Sequence, residues 1–115
     1  MTSEEIARIA VAALEDLKAE NVRVLDVRGM TSITDFMIIA SGRSDRQVRA
    51  MADKVRESAK EAGVRPLGME GERAGEWILV DLGDVIVHAM LPQTREFYQL
   101  EKLWDASVGG RQHSL

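Results

Sequence analysis

Cysteine is absent from this 115-residue chain. That excludes a disulfide framework, a thiolate zinc site and a cysteine nucleophile. No apolar run approaches the roughly 20 residues a membrane span requires, and the acidic, amphipathic N-terminus is unlike a signal peptide, so a cytoplasmic protein is expected. An excess of positive charge is missing too: the formal net charge is -4 and the pI near 5.2. Binding that works mainly by neutralising nucleic-acid phosphates is thereby disfavoured, and a basic protein partner fits better. The sequence has no HExxH, GxSxG, Ser-x-x-Lys, GxxxxGK[ST] or GxGxxG pattern. What remains is ordinary for one globular domain with a real core, at 45% hydrophobic and 30% charged residues.

The most informative stretch is Trp77 to Met90, WILVDLGDVIVHAM. Two Val/Ile/Leu-rich runs flank Leu82-Gly83-Asp84, the pattern of a tight β-hairpin, with Gly83 supplying the positive φ of the turn. A two-residue loop pairs residues whose numbers have an odd sum, and this divides the side chains between two faces. One face collects Ile78, Val80, Leu82, Val85, Val87 and Ala89, an aliphatic set suited to the core. The other collects Trp77, Leu79, Asp81, Ile86, His88 and Met90. Two readings fit that mixed face: a docking surface, or a face covered by another helix with Asp81 and His88 as hydrogen-bonded rim groups.

The rest of the chain supplies a frame for the hairpin. Thr2 and Glu5 form a capping box before a helix over residues 3–20, whose apolar stripe is Ile6, Ile9, Ala10, Ala13, Leu14 and Leu17. Residues 22–28 alternate as a strand with one wet face, and Phe36 to Ala40 is a continuous apolar run, predicting a central strand buried on both sides. Ser44 and Gln47 open a second helix as another capping box, Gly63 stops it, and Val48, Met51, Ala52, Val55 and Ala59 are its buried stripe. Its Arg and Lys residues are interleaved with Asp45, Asp53, Glu57 and Glu61 and read as a solvated face. The single glycine at Ala40 to Gln47 is weak evidence for a phosphate cradle. The predicted strand Val64 to Glu70 lacks the DxD or ExE pair that magnesium-dependent nucleotidyl transfer requires. Glu70 is either turn chemistry or an acidic lip beside Trp77. Pro92 starts a final helix, on which Phe97, Leu100 and Trp104 are expected to bury one aromatic-aliphatic face while Tyr98 and Leu103 point elsewhere. Residues 1–106 form the expected domain, and residues 107–115 read as a disordered tail.

Three segments in order carry a family resemblance: Thr34 to Ile39 with Ser41-Gly42-x-Ser44; Glu70-Gly71 followed by WILVDLGDVIVH; and Arg95-x-Phe97-Tyr98-x-Leu100-Glu101-x-Leu103-Trp104. The combination resembles the ribosomal silencing factor, or Iojap-like, family across nearly the whole chain. The resemblance implies an α/β single-domain sandwich, a mixed sheet of about five strands with packed helices, similar to the nucleotidyltransferase fold but without its catalytic carboxylates. It also implies a non-enzymatic translational repressor that uses no cofactor. Such factors bind the large ribosomal subunit through its ribosomal protein number fourteen and keep the small subunit from joining during nutrient limitation. Family members tend to self-associate, so a homodimer is expected in the free state. In this reading Trp77, Leu79, Ile86 and Met90 form the apolar centre of the interface, Asp81 and Glu70 face basic side chains, and His88 is a polar contact or an orienting group. The alternatives from other classes are a dimeric interaction scaffold and a residual nucleotide-binding domain.

Overall fold

The computed structural model describes residues 1–104 and 111–112. A mixed sheet forms the centre, built from β1 (Glu20–Asp26), β2 (Phe36–Ser41), β3 (Gly68–Glu70), β4 (Trp77–Asp81) and β5 (Val85–Met90). The two-residue β6 (Arg111–Gln112) adds to one edge, and the spatial order is β3-β4-β5-β2-β1-β6. Neighbours pair antiparallel except β2 and β5, which run parallel at the middle of the sheet. All six residues of β2 are buried, as its continuous apolar run predicts.

Helices α1 (Ser3–Asp16) and α2 (Asp45–Glu61) cover one sheet face. Their stripes meet Val24, Phe36, Ile38, Ala40 and the aliphatic side of the hairpin in one core. The hairpin register pairs Trp77 with Met90 and Asp81 with Ile86, and Leu82 N–H donates to the Val85 carbonyl, which leaves Gly83 and Asp84 as the turn. Gly83 alone of the two has positive φ, +86°, as a II′ turn requires. The odd-sum pairing holds, so all six residues assigned to the core face are buried.

The Thr2–Glu5 capping box forms in both directions. Helix α1 ends at Asp16, earlier than predicted, because Lys18 takes a left-handed conformation (φ 57°) and β1 begins at Glu20. At α2 the Ser44 hydroxyl accepts from Gln47 N–H, but the Gln47 side chain reaches Arg43 N–H at 2.7 Å and not Ser44, so the reciprocal half of the box is displaced by one residue. The predicted strand Val64 to Glu70 shrinks to β3, since Pro66 has no N–H to give a ladder. Beyond β5, the single predicted helix is two: α3 (Pro92–Tyr98) and α4 (Leu100–Trp104), broken at Gln99, which is left-handed at φ 49°. Of the tail expected to be disordered, Arg111–Gln112 pair with Leu25 and Asp26, while residues 107–110 and 113–115 lie outside the described residues.

Candidate functional site

The second sheet face carries a different chemistry from the first. Under its β1–β2 half lies a smaller core of Leu25, Val27, Met37, Ile39 and Met90, with Met30, Trp77 and Leu100 packed against it. The face expected to be wet on β1 is therefore covered: Leu25 is buried, and Arg23 is half-buried. The β4–β3 half stays open, with Trp77, Leu79, Asp81 and Ile86 half-buried and Glu70 exposed. Glu70 pairs directly with Leu79, so its side chain emerges on this same face.

Trp77 is the hinge between the covered and open halves. Its indole Nε1–H donates to His88 Nδ1 at 2.8 Å. Its ring meets that of Tyr98 with centroids 4.9 Å apart, and Tyr98 stacks on Phe97 at 5.0 Å. Phe97 is 72% exposed and Tyr98 59% exposed. Three aromatic rings thus form a continuous ledge from the sheet out into solvent, on a protein that has only five. Exposed aromatics in contact are the composition that binding hot spots favour.

The structure sorts the seven residues proposed from sequence. Trp77, Leu79, Ile86, Asp81 and Glu70 share the accessible surface, although Asp81 gives one carboxylate oxygen to the Gly83 N–H at 2.8 Å. Met90 and His88 do not reach it. Met90 is fully buried in the second core, where Leu100 of α4 and Trp77 pack against it, and His88 is 5% exposed. Burial also drives the His88 pKa down to about 4, so the ring is neutral near pH 7, with its proton on Nε2 while Nδ1 accepts from Trp77. The mixed face is therefore divided: one end is covered and the other is open.

Phe97 reverses an expectation, whereas Tyr98 points away from the stripe as expected and meets Trp77 of the sheet. Helical spacing assigns Phe97 to a buried stripe with Leu100 and Trp104, which assumes one unbroken helix; the left-handed Gln99 rotates the two segments apart and leaves Phe97 outside. Nothing in the local spacing marks this pair, since the break at Gln99 decides its exposure.

Charge fixes the C-terminal helices in place. Arg95, buried, donates from Nε and an Nη to the two oxygens of Glu101 at 2.9 Å each, and from its other Nη to the Ser41 hydroxyl at 3.0 Å. Arg23 joins Glu101 at 3.2 Å. Hydrogen bonding from Arg95 holds the Glu101 carboxyl below the usual carboxylate range, against the opposing effect of burial. These groups line a cavity of about 350 Å³ at the end of β2, where the two guanidiniums already share one carboxylate. On the far side of Trp77, Arg49 donates to the Glu72 and Arg73 carbonyls at 2.7 and 2.6 Å and so holds the loop after β3. Gly71 in that loop has φ +93° and passes so close to the Trp77 carbonyl that a Cβ would fall 2.1 Å from its oxygen. Together Glu70, Gly71, Trp77 and Leu79 bound a shallow groove of about 210 Å³.

The Ala40–Gln47 junction is explained by packing. A Cβ on Gly42 would lie 2.9 Å from Met51 Sδ and Val48 Cγ2, so glycine there lets α2 approach β2. Among the described residues, no three His, Asp or Glu side chains gather closely enough to hold a metal ion, and no helix is long and apolar enough to cross a membrane.

Fold and site together define an α/β domain whose most developed feature is an aromatic, acid-rimmed surface. Comparison with known proteins gives the family. The profile of the family described as "Ribosomal silencing factor during starvation" matches residues 1–114. A Chromobacterium violaceum protein named ribosomal silencing factor RsfS is 47% identical over 115 residues, covering 100% of this chain and 91% of that one. A mouse protein named mitochondrial assembly of ribosomal large subunit protein 1 is 37% identical over 97 residues, which is 82% of this chain and 42% of the mouse protein. A crystal structure of a C. violaceum protein superposes with a TM-score of 0.89 at 49% identity, covering 90% of this chain and 87% of its own. The chain belongs to the ribosomal silencing factor family.

Proposed function

We propose that this protein represses translation in the cytoplasm by binding the large ribosomal subunit through its ribosomal protein number fourteen and sterically keeping the small subunit from joining, as nutrient limitation demands. It acts as a surface rather than as an enzyme. The observation that carries this reading is the ledge of Trp77, Tyr98 and Phe97 beside the carboxylates of Glu70 and Asp81: a preformed apolar centre with an acidic rim, complementary to a basic protein. Family membership supports it, and the name of the mouse relative ties one member to large-subunit assembly.

The test is co-sedimentation with isolated large subunits, followed by addition of small subunits under conditions that favour whole ribosomes. The expected result is that the protein pellets with large subunits and keeps the two apart. Trp77→Ala should weaken binding by at least ~2 kcal/mol, the scale of an interface hot spot, with folding retained. A protein that stays in the supernatant sinks the reading. A second use of the same surface is favoured by the exposure of Phe97 and Tyr98: self-pairing in the free state, with the dimer opening to meet the ribosome. Size-exclusion chromatography of Trp77→Ala tests it, since a dimer that survives the substitution assigns self-association elsewhere.

A further inference from the structure

An indole has one hydrogen-bonding group, its N–H, and that group can only donate. In Trp77 it is spent inside the protein, on His88 Nδ1. The two side chains are diagonal neighbours across the β4–β5 ladder, since Leu79 opposes His88 and Trp77 opposes Met90. His88 is itself held by burial. From the other side Tyr98 closes on the indole at a 51° tilt, carried on α3, which Arg95 anchors to β2 through Ser41. The indole is therefore gripped at its polar edge and along its ring, while the remaining carbon surface stays half open.

We infer that His88 is a positioning residue for the docking face: it locks the Trp77 side chain in one orientation and consumes its only donor, so a partner meets that ring through carbon surface and not through a hydrogen bond. The inference rests on the proposed docking role of Trp77. Two consequences follow from physics. A ring already ordered in the free protein loses no further rotamer freedom on binding, so affinity gains from His88 without His88 touching the partner. A partner presenting an acceptor to the ring would find no donor there, so the face selects aliphatic or cationic groups, which suit a π surface.

The experiment compares His88→Leu, His88→Asn and Trp77→Ala in binding to isolated large subunits, with the Trp77 indole N–H followed by ¹⁵N–¹H NMR and identified by its loss in Trp77→Phe. Leucine has no acceptor; asparagine places its amide oxygen the same number of bonds from Cα as Nδ1. In the unsubstituted protein the indole N–H should exchange slowly with water. With His88→Leu it should exchange fast, and binding should fall about tenfold, the scale of one lost ordered contact. With His88→Asn slow exchange should return and binding should recover to within about threefold. If His88→Leu binds as the unsubstituted protein does while Trp77→Ala binds weakly, the positioning role is overturned and the docking face stands. If Trp77→Ala also binds normally, the docking reading itself falls. Asparagine that restores slow exchange but not binding likewise overturns the inference, because the loss was then one of packing. Should His88→Leu fail to fold, His88→Gln, whose amide cannot put its oxygen at the Nδ1 position, takes its place.

Discussion

His88 should make this protein lose stability in mildly acidic solution, well above the pH at which carboxylates titrate. The native ring has a pKa of about 4 because it is buried, against 6.5 for an exposed histidine. The folded pKa is depressed, so as pH falls the unfolded chain binds a proton first. Stability is present in full above pH 6.5 and is lost as pH falls toward 4. Each pH unit across that window costs about 1.4 kcal/mol, so the loss between pH 7 and pH 5 is about 2 kcal/mol, reaching about 3 kcal/mol near pH 4. For a urea m-value of about 2 kcal/mol/M, the unfolding midpoint should drop by about 1 M between pH 7 and pH 5. Urea titrations followed by far-ultraviolet circular dichroism would measure it, with His88→Asn as the reference that cannot titrate. His88→Asn should lose much less over the same interval. A midpoint in the original protein that holds steady from pH 7 to pH 5, or an equal drop in both proteins, would refute the account of a neutral buried imidazole. The same titration has a local counterpart, since protonating Nδ1 abolishes its ability to accept from Trp77.

Other substitutions probe separate parts of the structure. Arg95→Met removes a guanidinium that serves Glu101 and Ser41 at once, and should cost roughly 3 kcal/mol. Thermal denaturation should register this as a fall of about 10 °C, and a fall under about 3 °C would show that α3 and α4 are held by other contacts. Phe97→Ala should leave stability within about 0.5 kcal/mol, the ring being exposed, yet weaken large-subunit binding about tenfold by co-sedimentation. Unchanged binding would confine the docking surface to the sheet. Glu70→Lys reverses a rim charge that has no part in the turn, unlike Asp81, and its binding defect should shrink as salt is raised. A defect that is constant with salt would mean the loop had moved instead.

The hairpin and the caps are legible in sequence because their causes are local. Alternation of Ile78, Val80, Leu82 with Val85, Val87, Ala89 and one glycine suffices to place six side chains in the core, since the pleat has a period of two whatever lies on either side. Thr2 with Glu5 needs only three residues of separation. The C-terminal region departs from its sequence pattern for the opposite reason. Helical spacing puts Phe97 with Leu100, but a left-handed Gln99 breaks the period, and Arg95 pairs with Glu101 across that break while also reaching Ser41 on a strand 54 positions away in the chain.

The candidate site divides the same way. Sequence by itself determined which side chains leave β4 and β5 on the second face, and that Trp77 and His88 share it, because the sign of each side chain along a strand follows from residue number and turn length. Which of those side chains meets solvent was decided only in three dimensions. Met90 is covered where Leu100 and Trp77 pack on it, His88 is buried beside Trp77, and Trp77 itself stays half open; the Arg95–Glu101–Arg23 ion pairs tie α3 and α4 to this end of the sheet. The ledge of Trp77, Tyr98 and Phe97 likewise depends on where α3 lies. Local periodicity assigns a residue to a face, but burial depends on what distant chain arrives to cover it, and that is a property of long-range packing alone.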